Sequence, residues 1–348
     1  MGNVQETPKQ AEKRHRIVLG CMGGVLIALI FLSFLCGRYP VPLRELLGIL
    51  RNRIFGGIKP YWTKQMETAV LNVRLPRIIL SVLVGSALSA AGAAYQGVFQ
   101  NPMASPDILG ASAGAGFGAA LAIMAGFHSG GITVSAFVMS FITVALVFYI
   151  SRYAKGDRIL GLILAGIMIS SLFQSGTSFL KLVADPNNKL PQITYWLMGS
   201  LAGAKWSSVR FVILPVLVGM IPLILLRWRI NVLAMGDEEA HAMGANPQTI
   251  RFVVIVCATL LTASAVSVSG MIGWVGLVIP HMMRRIAGSD YRYLMPASIL
   301  GGGIFLLAVD HISRTVSAAG IPIGILTAFI GAPFFLWLIT GKGDVYGR

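Results

Sequence analysis

The chain has 348 residues, of which 55% are hydrophobic and only 12% charged, with a mean hydropathy of +0.76. Soluble domains carry about 25% charged residues, so this composition excludes a soluble globular class and indicates an all-α polytopic membrane protein. The net charge of +15 comes from Lys and Arg set between apolar runs, as membrane anchors and topology signals are, and does not point to nucleic acid.

Ten apolar runs could cross a bilayer as helices, at roughly 17–36, 78–98, 108–127, 132–150, 160–183, 209–226, 251–270, 272–288, 293–310 and 322–340. The tail 1–16 carries Lys9, Lys13, Arg14 and Arg16, which the positive-inside bias places in the cytoplasm. An even number of spans within a membrane domain 17–340 returns the tail 341–348 to the same side. The first run is too long for a signal-peptide core, and Cys36-Gly37-Arg38 is a poor cleavage site, so the run is read as a retained span.

The connection 37–77 is then external. Its polar part, 40–73, holds Arg44, Arg51, Arg53, Lys59 and Lys64 against Glu45 and Glu67, and it ends in Arg74-Leu75-Pro76-Arg77. Positive charge is normally scarce on that side, so the arginines imply an acidic partner or lipid headgroups. After the second run, Gln100-Asn101-Pro102-Met103-Ala104-Ser105-Pro106-Asp107 interrupts the helix pattern at the cytoplasmic end. Irregular backbone there fits either a tight turn or a gate. Gly110, Gly114 and Gly118 repeat every four residues, a spacing that suits close helix packing.

Arg152, Lys155 and Arg158 fall inside, and the external segment 185–208 opens on an Asp185-Pro186-Asn187-Asn188 turn. Arg227 and Arg229 again fall inside, followed by 232–248. There Gly236 precedes Asp237, Glu238 and Glu239, three acids that suit the first turn of a short helix, and Gly244 can close it with a left-handed cap. Ala240, Met243 and Leu233 would give that helix an apolar side, making it a docking element for another protein's groove. Only Gly270 and its small neighbours separate runs seven and eight; merging them would put Arg284 and Arg285 outside, so they are kept apart. Asp310 ends the ninth run beside His311 and four residues before Arg314, as a functional acid at a membrane edge or as the partner of Arg314.

No catalytic signature is present. There is no G-x-x-x-x-G-K-[ST] phosphate loop, no His-Glu-x-x-His and no nucleophile elbow, so an enzyme is not expected. Cys21, Cys36 and Cys257 lack metal-ligand spacing, and no metal site or cofactor is expected.

Several strings nevertheless occur together in order. They are Arg74-Leu75-Pro76-Arg77, Gln100 to Gly110, Tyr195-Trp196-Leu197-Met198-Gly199, Ala234-Met235-Gly236-Asp237-Glu238, Gly276-Leu277-Val278-Ile279-Pro280-His281, Ile321-Pro322-Ile323-Gly324 and Gly331-Ala332-Pro333. With these residues the chain resembles the permeases of ABC importers for ferric siderophores, haem and cobalamin. The resemblance implies ten spans, a second permease subunit (the same chain or a related one), two cytoplasmic ATP-binding subunits that hydrolyse the ATP, and an external substrate-binding protein. It implies that Arg74, Arg77 and Arg314 receive glutamates from the binding protein, and that 232–248 forms two short helices touching the ATPase. It also implies that Asn101 and Met103 close a cytoplasmic gate, with Ile159 and Leu160 supplying the other gate. Members of the family often have small polar residues where this chain has Ile159 and Leu160. The basic 40–73 connection is longer than the family's, so its extra charges either extend the docking surface or reach anionic lipid.

A rival reading is an ion-gradient-coupled secondary transporter, which needs ionisable groups near the bilayer midplane. Asp107, Asp185 and Asp310 map to span ends, which counts against it. The substrate, whether siderophore, haem or cobalamin, is not encoded in any motif, and iron compounds are favoured only as the family's commonest.

Overall fold

The computed structural model describes residues 8–37, 39–57, 59–154, 158–316 and 320–340; the loop position Lys155 and the tail 341–348 lie outside them. Among the described residues every regular element is helical. In chain order they are α1 (Pro8–Leu35), α2 (Leu43–Phe55), α3 (Lys64–Thr68), α4 (Leu75–Val98), α5 (Ala111–Met124), α6 (Ser129–Ser151), α7 (Arg158–Val183) and α8 (Lys189–Leu197). Then follow α9 (Trp206–Leu225), α10 (Arg227–Met235), α11 (Asp237–Ala242), α12 (Pro247–Ser269), α13 (Val275–Ala287), α14 (Tyr291–Val316) and α15 (Ile323–Thr340).

Each apolar run reappears as a helix, but not each is a full span. Seven helices among the described residues are long and apolar enough to cross a membrane: α1, α3 running into α4, α6, α7, α9, α12 and α14. With 14 and 13 residues, α5 and α13 extend only about 20 Å at 1.5 Å per residue, short of a hydrocarbon core of roughly 30 Å. The missing length is backbone that is not α-helical, including a 3-10 turn over Pro106–Leu109 before α5. Gly110 caps the start of α5 at φ +77°, and α13 is preceded by Trp274 at φ +71°. Gln100 (φ +49°) and Trp274 are the non-glycine residues with positive φ among those described, and each lies in the segment leading to one of these half-length helices. Such conformations cost side-chain-bearing residues of order 1–3 kcal/mol and persist only where the surroundings hold them.

Two elements differ from the sequence pattern for reasons visible in the backbone. The helix of the second run starts at Lys64 rather than near 78, because α3 continues through a π-helical turn, Ala69–Arg74, into α4. Pro76 cannot donate and its ring crowds the carbonyl a turn earlier, and the wider π turn just before it (Leu75 N–H to Val70 O) takes up the misfit. The polar connection is also not a plain loop, since it contains the whole of α2. Gly270 does separate α12 from α13, as expected.

The core is built on α4, α12 and α14, the most buried of the long helices, whereas α1 is largely exposed. Antiparallel α4 and α14 share the most extensive contact between any two elements among the described residues. They meet backbone to backbone: a Cβ on Gly85 would run into the carbonyl oxygen of Gly302, and one on Gly302 into that of Gly85. Beside this contact Ser86 Oγ donates to the Ile299 carbonyl at 2.8 Å. Small residues at such crossings allow the dispersion contacts that replace the hydrophobic drive in lipid. Gly114 and Gly118 do the same for α5 against α6, meeting Thr143 and the Ser135 carbonyl. Gly85→Val should force the α4–α14 seam apart at a cost of about 1–3 kcal/mol or more. The expected result is a lower thermal midpoint for the detergent-purified protein; an unchanged midpoint would mean that the seam can relax.

Candidate functional site

The two ends of the bundle differ in chemistry. At one end, where α1 finishes and α4 begins, the arginines are not free forks. Arg74 is only 5% exposed and donates to the backbone carbonyls of Phe34 and Tyr39, tying the end of α1 to the start of α4. Arg77 binds Asp310 across the helix seam, Nε to Oδ1 at 2.9 Å and Nη2 to Oδ1 at 2.8 Å. Arg314 Nε lies 3.1 Å from Asp310 Oδ2. Asp310 is fully buried, so one acid holds two arginines from α4 and α14 and takes the structural role open to it in the sequence. Arg314 retains an unpartnered buried Nη2.

Two of the sequence strings, Tyr195–Gly199 and Ile321–Gly324, meet at this end. The Ser200 N–H donates to the Ser269 carbonyl at 2.7 Å, and the Ile323 N–H donates to the Gly199 carbonyl at 2.9 Å. They join the ends of α8 and α12 to the start of α15. A cavity of about 830 Å³ opens beside them, lined in part by Thr133, Gln192, Trp196, Ser208 and Ser267. These groups offer neutral hydrogen bonds and aromatic surface, and Lys205 adds a positive charge to the lining. Among the described residues no cluster of three His, Cys, Asp or Glu side chains could hold a metal.

At the opposite end, α10 and α11 form a projecting pair. The acids behave as the pattern implies: α11 opens at Asp237, with Glu238 and Glu239 in its first turn. It closes with Gly244 at φ +74° and a bond from Ala245 N–H back to the Ala240 carbonyl at 2.9 Å, a Schellman-type end. Ala240 and Leu233 are buried as expected, but Met243 is exposed, as is Met235. Both methionines border a groove of about 350 Å³ that also takes in Trp228 and Tyr291. Gly236, at φ +138°, makes the bend between the two helices.

Arg251, which the sequence pattern did not single out, and Gln100 tie this pair to the bundle. Arg251 on α12, 7% exposed at its side chain, grips Asp237 with both terminal nitrogens, at 2.7 and 3.3 Å. Gln100 Nε2 donates to the Leu233 carbonyl of α10 at 3.1 Å, beside the interrupted segment. In that segment Asn101 Oδ1 accepts the Met103 N–H at 2.9 Å, an Asx turn that sets Met103 half-buried and Asn101 exposed. Of the other pair, Ile159 is half-buried and Leu160 exposed at the start of α7. A basic residue at the very start of the seventh apolar run was the available signal for Arg251.

The segment after Met103 penetrates further than expected. Pro106 packs on Gly276, which also approaches the Leu88 carbonyl near the middle of α4. Asp107, which accepts from the Ser112 hydroxyl, follows Pro106 and so lies roughly level with the middle of α4. On the projecting side, Asp290 in the α13–α14 connection accepts from Asn231 Nδ2 at 2.6 Å and Arg292 Nε at 2.7 Å. Partial burial works against its charged form, but the Arg292 and Asn231 bonds outweigh it and hold its pKa below the ordinary carboxylate value. A carboxyl depressed in the folded state stabilises above its unfolded pKa, about 3.9, and that gain is lost as pH falls through the folded value. The thermal midpoint of Asp290→Asn should accordingly lie below that of the unmodified protein at pH 7 and converge with it below about pH 4. A pH-independent gap would remove the charge from the account.

The sequence profile of the FecCD transport family matches residues 25–341. A molybdate import permease of Haemophilus influenzae is 41% identical over 77% of this chain and 80% of its own. A hemin transport permease of Yersinia pestis is 39% identical over 77% and 82%. A Helicobacter pylori protein described as a probable iron chelatin permease is 36% identical over 94% and 98%. Among solved structures, an ABC transporter assigned to the metal-chelate type, in an inward-facing conformation, superposes with a TM-score of 0.84. It is 37% identical and is matched over 93% of this chain and 99% of its own.

Proposed function

This chain belongs to the FecCD transport family, and from that premise we propose that it is the membrane-crossing subunit of an ATP-driven importer for an iron chelate or related metallo-compound. Its class, an ABC-type permease in a multi-pass membrane location, follows from the family; the finer assignments are our reading. The observation that carries them is the division of labour between the ends: a basic, cavity-bearing face at one, and the projecting α10–α11 pair with its exposed methionines at the other. A substrate-binding protein would dock outside on the Arg77–Asp310–Arg314 face, with Arg74 bracing α1 behind it. An ATPase on each of two permease subunits would receive α11, through Asp237, Glu238, Glu239 and the apolar tip. Asn101 and Met103, with Ile159 and Leu160 opposite, would close the inner end of the path. The ten spans with both termini in the cytoplasm belong to this proposal, with α5, α13 and α15 completing their crossings through backbone that is not α-helical.

The relatives' names span molybdate, hemin and iron chelatin, so the substrate class is widened to metal-bearing anions and chelates. Gradient coupling gains one observation, the carboxylate of Asp107 roughly level with the middle of α4. Vesicles holding this permease with its ATPase and binding protein separate the two. Uptake of a ferric chelate should need ATP and survive an ionophore; uptake driven by a gradient without ATP would overturn the proposal. In the same vesicles Gly244→Val, which puts a β-branched residue at a left-handed cap, should leave the ATPase bound and abolish most uptake. Unimpaired uptake would detach α11 from energy coupling.

A further inference from the structure

The helix α2 has two apolar faces, and only one is accounted for by the fold. Leu46 and Ile49 are buried in a cluster with Phe34, Trp62, Val70 and Leu307, which seats the helix against the ends of α1, α4 and α14. Leu43, Leu47 and Ile54, at intervals of four and seven residues, form an exposed stripe on the other side, bordered by Leu50, which is half-buried against the inner cluster. Leu47 is 50% exposed and Ile54 72%. Arg44 and Arg51 stand one position along from Leu43 and Leu50, hence beside the stripe, and both are exposed. Arg44 stacks on Tyr61 at 5.2 Å, whose hydroxyl donates to the Arg44 carbonyl at 2.8 Å. Tyr61 and Tyr39, both exposed, flank the helix.

We propose that α2 lies in the membrane interface, its outer stripe inserted at the boundary between acyl chains and headgroups, with Arg44 and Arg51 on lipid phosphates. Three observations select phospholipid over a protein occupant. The inner face of α2 packs on the end of α1 at Phe34, and α1 is itself a largely exposed apolar helix, with Ile27, Phe31 and Leu35 bare. Arginine and tyrosine beside an apolar stripe are what a helix at the headgroup level requires, the long cationic side chains reaching phosphate from an apolar base. The helix is also fixed in position by its inner face, so that binding lipid orders no additional backbone. It would act as a lateral float, holding the start of α4 and its arginines at a constant height relative to the leaflet. This inference rests on the membrane location of the chain and not on the proposed substrate or partners.

The test uses the full-length protein, with Cys21, Cys36 and Cys257 replaced, in vesicles of phosphatidylcholine and phosphatidylglycerol. Nitroxide labels are placed singly through Leu47→Cys, Arg51→Cys and Ile54→Cys, all exposed positions that do not support the core. Collision with oxygen, which concentrates in lipid, and with a water-soluble nickel complex is read by paramagnetic resonance. The oxygen-to-nickel ratio should be several-fold higher at 47 and 54 than at 51. If 47 and 54 are as open to nickel as 51, the stripe lies in water and the proposal fails. If 47 and 54 are closed to both reagents, protein covers the stripe, a second copy or another subunit, and it fails equally.

Discussion

Asp310→Ala is expected to cost more folded protein than any other single change considered for this chain. The side chain is 0% exposed and faces Arg77 and Arg314, themselves only 14% and 11% exposed at their side chains. Without the carboxylate, two guanidinium groups are left close together in a site that water barely reaches. Removing one member of a buried ion pair costs about 3–5 kcal/mol, because the partner's charge remains buried and uncompensated. Domains are stable by roughly 5–15 kcal/mol, so the loss is a large share of the whole. The detergent-purified variant should show a steep fall in thermal midpoint or no folded species at all. Asp310→Asn keeps an acceptor without the charge and should fall in between. Arg77→Ala leaves Asp310 with Arg314, so its midpoint should fall less. Any weakening of binding-protein docking by that variant is to be read only against this stability control. An Asp310→Ala midpoint equal to that of the unmodified protein would show that water or a nearby group replaces the carboxylate.

Asp237→Ala is expected to separate ATP hydrolysis from transport in the reconstituted complex. Asp237 is 48% exposed on the projecting helix, while the Arg251 it binds is 7% exposed on α12. A two-point grip of this kind resists twisting as well as pulling, which a single contact would not. Hydrogen bonds to charged groups contribute about 1.5–3 kcal/mol, enough to decide whether α12 follows α11 or stays behind. Hydrolysis should continue near its normal rate while uptake falls by roughly tenfold, the equivalent of about 1.4 kcal/mol. The exchanged pair Asp237→Arg with Arg251→Asp should recover part of the uptake. Hydrolysis and uptake declining in parallel would instead mean that α11 serves assembly alone.

Hydropathy and charge located the helices because a bilayer imposes a length and an apolar composition that both register in sequence. They did not separate full crossings from half-length ones, since the residues before Ala111 and Val275 are apolar enough to extend each run while their backbone is not α-helical, Pro106–Leu109 forming a 3-10 turn. That property resides in φ at Gln100, Gly110, Gly270 and Trp274, and hydropathy carries no information about φ. Helix α2 was hidden for a different reason: Arg44, Arg51 and Arg53 dilute its apolar residues, and two apolar faces on one helix blur the usual single stripe. At the site, the acid-led start of α11 and its glycine end were legible from local rules of capping. The Arg77–Asp310 and Asp237–Arg251 partnerships join positions distant in sequence, 233 residues apart in the first case, and no local rule pairs them.

The glycine contact between α4 and α14 has a mechanical consequence. Two helices separated by a layer of side chains can slide, since the layer can change rotamer; where Gly85 faces Gly302 there is no such layer to yield. The pair is pinned again at both extremities, by Arg77 on Asp310 at one and by Gly97 against Tyr291 at the other, about 30 Å apart along the helix. Three fixings along a common length make α4 and α14 a single stiff beam. Any cycle that exposes the path first to one side and then to the other must carry this beam as a unit and take its deformation elsewhere, in the irregular joints before α5 and α13.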